Sequence, residues 1–232
     1  MSLRIVWFLF CLSPLVSMGQ TKTNKRFWFD YNPSFSLSTK LTVLADVGWR
    51  KNFNSVNQKF RTVLRPKFKY FIKDHWELLG GMGWFYIVND NETPDLNEIR
   101  PFIGTKVSWP RFDKIAIDHL FRIENRRLRP IGSPLESFLR YRYRIGSTFR
   151  YRHDTFVAYF FTPFTAEYIF HLDPSVDVED DSFRFTTGLG YVFDGQWTVE
   201  SNVMIQSRGD LATGNLNRSD LVFRLRVFHK IQ

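Results

Sequence analysis

SFLRYRYRIGSTFRYRH, residues 137–153, sets arginine at positions 140, 142, 144, 150 and 152, with rings and aliphatic side chains between most of them. Parity decides how it is read. From 138 to 150 the odd positions hold Leu139, Tyr141, Tyr143, Ile145, Ser147 and Phe149, while the even ones include Arg140, Arg142, Arg144, Gly146, Thr148 and Arg150. In a strand, successive side chains point to opposite faces, so the guanidinium groups share one face and the rings the other. A single-strand nucleic-acid platform needs both on one face, where bases stack while phosphates are neutralised. The segregation therefore argues against nucleic acid, although Lys plus Arg number 32 against 23 Asp plus Glu.

The same segregation runs outward from this stretch in both directions. Upstream, Phe27, Phe29, Tyr31 and Phe35 alternate with Arg26, Asp30, Asn32 and Ser34, and Val43, Val47 and Trp49 alternate with Thr42, Asp46 and Arg50. The phase then flips, and Leu64, Phe68 and Tyr70 oppose Arg65, Lys67 and Lys69. Ile99, Ile103 and Val107 oppose Glu98, Arg100 and Lys106; Ile117, Phe121 and Ile123 oppose Asp118, Arg122 and Glu124. Downstream, Phe160, Phe164 and Tyr168, then Phe183, Leu189 and Tyr191, then Val199, Val203 and Ile205, and last Leu221, Phe223 and Leu225, mark the apolar side. Eleven candidate strands emerge, many longer than the roughly 5–6 residues of a globular strand and matched to the roughly 9–11 that cross a bilayer at a tilt. Charges of both signs on the polar side suit a polar interior behind a lipid-facing exterior. An open sheet edge in hydrocarbon would leave backbone groups without partners, so the sheet must close.

The fold expected is all-β: a closed antiparallel transmembrane β-barrel. An even strand number is the rule for bacterial single-chain barrels, which makes the expected count about 12, with 10 the other even solution. Tight connections are expected at Ser38–Thr39, Lys73–Asp74, Pro110–Asp113, His153–Asp154 and Asp194–Gly195, and longer polar ones around residues 89–97, 129–136, 171–181 and 209–217. Trp28, Trp49, Trp76, Trp109 and Trp197 are candidates for aromatic girdles near strand ends. MSLRIVWFLFCLSPLVSMGQ, residues 1–20, has Arg4 before an apolar run and small Ser17 and Gly19 ahead of Gln20, the layout of a secretory signal peptide over residues 1–19. The rest, 20–232, reads as one barrel domain. The single cysteine, Cys11, falls within that signal, so disulfide and thiolate chemistry are excluded from the exported chain. Outer-membrane lipid and the barrel-assembly machinery are the partners this fold implies, with small anions as candidate solutes.

Several runs on these strands, NEIRPF (97–102), HLFRIENR (119–126), RYRYRIG (140–146), TAEYIF (165–170), FRFTTGLGY (183–191) and the closing LVFRLRVFHKI, occur in an order that resembles the DUF2490 family of uncharacterised exported proteins from Bacteroidetes-type bacteria. The resemblance spans nearly the whole exported chain and implies an outer-membrane barrel with no established activity. The chain departs from such barrels at its end, where Ile231 and Gln232 follow the last aromatic residue.

Parity nominates the lumen-lining residues: Arg100, Asp118, Arg122, Glu124, Arg126, Arg140, Arg142, Arg144, Glu167 and Arg184. Two readings stay open for them. Buried charges must be paired, and arginine's planar fork suits carboxylates, so they could be a cross-strand ladder of ion pairs filling a narrow barrel. Surplus arginine could also line an anion-attracting path, and the two can coexist. The alternative class is a lipid-modifying hydrolase, a lipase or deacylase, which needs a nucleophile and base within hydrogen-bond reach. His119 lies on the apolar side while Asp118 points away from it, and no G-x-S-x-G occurs, so no catalytic residue is assigned. Neither a metal nor a cofactor is expected; the acidic loop 173–181 lacks calcium-loop spacing and reads as solvated.

Overall fold

The structure, a computed structural model, describes residues 23–53, 58–89, 94–132, 134–151, 158–171, 182–210 and 215–231. The predicted signal peptide, the 153–154 turn and the acidic loop 173–181 lie outside them. The described chain forms eleven strands: β1 (Thr23–Ser36), β2 (Leu41–Asn52), β3 (Gln58–Lys73), β4 (Trp76–Asn89), β5 (Leu96–Ser108), β6 (Ile115–Pro130), β7 (Glu136–Tyr151), β8 (Tyr159–Phe170), β9 (Ser182–Val192), β10 (Trp197–Asp210) and β11 (Asn215–Ile231). Each neighbours the next, and β1 meets β11, closing the barrel.

Closure explains the strand count. The expectation of an even number assumes that first and last strands run antiparallel. Here β1 and β11 run parallel and in register from Thr23↔Ser219 to Phe35↔Ile231, so eleven strands close without a twelfth. Thr23–Lys25 are paired within the wall.

The connections following odd strands define a turn end, and those following even strands a loop end. At the turn end, Ser38 Oγ accepts from the backbone N–H groups of Lys40 and Leu41 (3.2 and 3.0 Å), and Asp194 Oδ1 accepts from those of Gln196 and Trp197 (2.8 and 2.7 Å). These short side chains mimic a turn's own hydrogen bonds, which is why the chain reverses there. Two connections at the loop end are shorter than expected: Asn97 pairs with Arg129 and Leu96 with Pro130, so the ends of 89–97 and 129–136 are strand. Polar residues there satisfy the ladder as well as apolar ones do, because its hydrogen bonds belong to the backbone.

Side-chain sorting follows parity and turns the usual globule inside out. Ile103 (63% exposed), Phe121, Leu189, Phe68 and Met82 stand on the outer surface, while Asp30, Asp46, Glu98, Glu124, Arg126 and Arg140 are buried within. Trp49, Trp76, Trp109 and Trp197 are exposed, as girdle residues should be. Trp28 is not one of them. It is 6% exposed and points inward, on the same parity as Arg26 and Asp30, with the Arg50 guanidinium 4.1 Å from its ring centroid.

The charged lumen as candidate functional site

Every lumen residue nominated from parity sits on the inner wall or is buried within it. Cross-strand register then brings opposite charges together. Glu124 on β6 lies opposite Arg140 on β7, and both Nε (3.0 Å) and Nη2 of Arg140 donate to its Oε2. Its Oε1 takes Arg122 Nη2 at 2.7 Å and Arg142 Nη1 at 2.9 Å. Arg142 also reaches Glu167 Oε1 at 2.5 Å, and Arg184 meets Glu167 Oε2 at 3.4 Å. Arg144 bridges to Asp118 at 3.2 Å. One network thus runs from β6 through β7 and β8 to β9. Glu98 forms a second centre with Arg100 and Arg126.

Further pairs complete the ring. Asp46 takes Arg65 Nη2 (2.5 Å), Lys67 Nζ (2.7 Å) and Asn32 Nδ2 (2.7 Å). Asp30 takes Arg224 Nε at 2.6 Å, across the parallel β1–β11 seam. Asp220 binds Arg26 Nη2 at 3.1 Å and Arg208 Nη2 at 3.4 Å, and Glu200 binds Arg226 at 3.0 Å.

Aromatic rings share this polar face. Phe85, Phe102 and Phe161 are buried inside. Arg100 stacks 4.0 Å from the Phe85 centroid and Arg122 5.0 Å from that of Phe102. Rings attract the guanidinium face, while its N–H donors, which lie in the plane, stay available for carboxylates at the edge. The signal for these rings was present: Trp28, Phe85, Phe102 and Phe161 all fall on the inward parity of their strands.

The network does not fill the interior. A cavity of about 480 Å³ runs along it. A second, of about 400 Å³, opens at the turn end between Pro33, Leu44, Arg150, Tyr159, Gln196 and Lys230, and shares Asp46, Lys67, Glu200 and Arg226 with the first. Toward the loop end Glu98, Ile169, Asp220 and Val222 are buried, and Arg126 and Arg140 still line the cavity. Among the described residues seventeen arginines and lysines line the main cavity. Nine inward carboxylates face them: Asp30, Asp46, Glu77, Glu98, Asp118, Glu124, Glu167, Glu200 and Asp220. The interior is a net cationic space held by internal ion pairs.

Two histidines, His119 and His229, lie elsewhere. His119 Nδ1 pairs with the Tyr143 hydroxyl at 2.9 Å, and His229 Nδ1 with that of Tyr31 at 2.8 Å, the His229 ring stacking 3.8 Å from Trp197. Both join aromatic clusters on the outward parity. Among the described residues no group of three or more His, Cys, Asp or Glu is placed to hold a metal ion.

Comparison with curated proteins finds no match. The family model for DUF2490, a protein of unknown function, matches residues 25–217, which take in most of β1, all of β2 to β10 and the start of β11. The chain belongs to the DUF2490 family.

Proposed function

We propose that this barrel is an outer-membrane protein, exported by a signal peptide over residues 1–19 and inserted by the barrel-assembly machinery, whose lumen forms a narrow anion-biased path. Strand length supports the location. The strands have 11–17 residues, and at roughly 3.3 Å per residue and a tilt of about 45° even the shortest rises about 26 Å, enough for the roughly 25 Å apolar band of such barrels. The outward face supports it as well, since soluble monomers rarely expose contiguous apolar surface beyond a few hundred Å². In this orientation the turn end is periplasmic, the side on which such barrels carry their short connections.

The observation that carries the anion bias is the cationic surplus along a cavity open at one end. Cations entering it would meet repulsion, and anions would meet donors already held in place by stacking and pairing. The residue to test is Arg144. Its side chain is 33% exposed and rests on the single Asp118 contact, whereas Arg142 is held by two glutamates. In planar bilayers under a salt gradient, the wild-type reversal potential should lie toward that of chloride, and Arg144→Gln should move it toward zero. A cation-selective current or a silent barrel overturns the path. The same reading makes the barrel passive rather than enzymatic. Release of fatty acid from phospholipid or lipopolysaccharide by the purified protein would overturn that part.

A further inference from the structure

Arg50 and Arg61 form a different kind of contact from the pairs above. They are register partners on β2 and β3, and both line the main cavity. Like charges directly opposite one another on a sheet face repel. The lumen contains a second such pair, Arg122 and Arg142, and there the chain supplies the remedy: Glu124 Oε1 sits between them, 2.7 Å from one and 2.9 Å from the other. Between Arg50 and Arg61 no carboxylate intervenes, and among the described residues neither makes an ion pair. The nearby acids are engaged, Asp30 with Arg224 and Glu98 with Arg100 and Arg126.

Their posture fits an absent bridging partner. Arg50 lies 4.1 Å from the Trp28 centroid and Arg61 6.0 Å from that of Phe85. The rings support the guanidinium faces and leave the in-plane N–H edges to an acceptor. Arg50 Nε is buried and has no hydrogen-bond acceptor among the described residues, as is also true of Nε of Arg122, Arg144 and Arg226. Asp30 attracts Arg50 and Glu98 attracts Arg61 through space, while Arg224 and Arg65 add their positive field at Arg50, as Arg100 and Arg126 do at Arg61.

We propose that Arg50 and Arg61 clamp a phosphate-class oxyanion in the lumen, in the place that Glu124 fills between Arg122 and Arg142. A tetrahedral dianion presents several oxygens to two planar forks and neutralises both, which one carboxylate or a spherical halide does less well. The cavity leaves room for more than a bare ion, since pockets for small molecules span about 300–1,000 Å³. The site rests on the reading of the lumen as anion-attracting and names the class of anion it selects.

The test is equilibrium dialysis of inorganic phosphate against the full barrel in detergent at fixed ionic strength. One saturable phosphate per barrel is expected, not displaced by an equal concentration of chloride or acetate. Arg50→Gln and Arg61→Gln should each weaken it about ten- to hundred-fold, the loss of hydrogen bonds to a charged group, while Lys73→Gln at the β3–β4 turn leaves it unchanged. Folding provides an independent readout with a sign. Without phosphate, Arg61→Gln should resist urea better than wild type because a like-charge contact is gone; with phosphate the order should reverse. Competition by glycerol 3-phosphate as well would mark a phosphomonoester as the ligand, and by inorganic phosphate alone the free ion; both support the site. Displacement by acetate, binding no tighter than chloride, or binding that survives the double substitution overturns it. A barrel that conducts anions yet fails this test loses the phosphate site alone, whereas one that binds phosphate but carries no current keeps the site and loses the path.

Discussion

Replacing Glu124 by glutamine tests whether the lumen network is a buried electrostatic core or a water-screened lining. Glu124 is 2% exposed and meets three arginines. The substitution keeps its shape and removes its charge. Arg142 retains Glu167 at 2.5 Å, but Arg122 and Arg140 have no second carboxylate among their ion pairs. Breaking a buried pair by removing one partner costs about 3–5 kcal/mol, because the remaining charge is left uncompensated. Glutamine still offers one acceptor oxygen, which places the expected loss near the lower bound, about 3 kcal/mol. Urea unfolding in lipid or detergent, followed through the tryptophans of the barrel wall and extrapolated to water, measures it. A second substitution, Arg140→Leu, should recover part of the loss by removing a charge that no longer has a partner, so the two changes should be strongly non-additive. A loss below about 1 kcal/mol, the value of exposed ion pairs, would refute the reasoning and show that water screens the interior.

Three further outcomes follow from the wall rather than the network. Ile103, outward and 63% exposed on β5, should tolerate arginine poorly if it faces hydrocarbon. Ile103→Arg is expected to cost about 2–4 kcal/mol near the bilayer midplane, and a neutral result in lipid would reject the lipid-facing assignment. The parallel seam pairs Phe27 with Phe223, so cysteines at both positions should form a disulfide on oxidation whereas cysteines at 35 and 223 should not. A crosslink at the second pair alone would exclude this closure. At Gly190 an added Cβ would come within 2.1 Å of the Phe161 ring. Gly190→Leu should therefore cost about 1–3 kcal/mol through overpacking, measured by urea midpoint, and Phe161→Leu in the same chain should restore much of it.

Parity carried the reading of this protein as far as one strand at a time can. Arg140, Arg142 and Arg144 were inward by their own spacing, and the arrangement needed no knowledge of their neighbours. The identity of each partner was a different matter. That Glu124 serves three arginines while Arg50 and Arg61 share none depends on register between strands. A one-residue slip in register sends a strand's inward set outward, and a two-residue slip would set different charges opposite one another. Alternation counted eleven strands, and the even-number rule displaced that count, because alternation says which face a residue takes and nothing about the direction in which the last strand meets the first.

The misreading of Trp28 came from weighing residue type above position. An aromatic near a strand end suggests an interface, yet its even number on β1 already placed it with Arg26 and Asp30. Trp28, Phe85, Phe102 and Phe161 show what rings do on a cationic face: they occupy volume that would otherwise need water or more carboxylates. They also hold guanidinium planes so that only the edges remain reactive. Glu124 is the partner the chain itself brings to such edges. A lumen in which some edges are answered from within and one facing pair is not can keep its shape while leaving a place for an anion from outside, and the sign reversal expected for Arg61→Gln with and without phosphate measures that division.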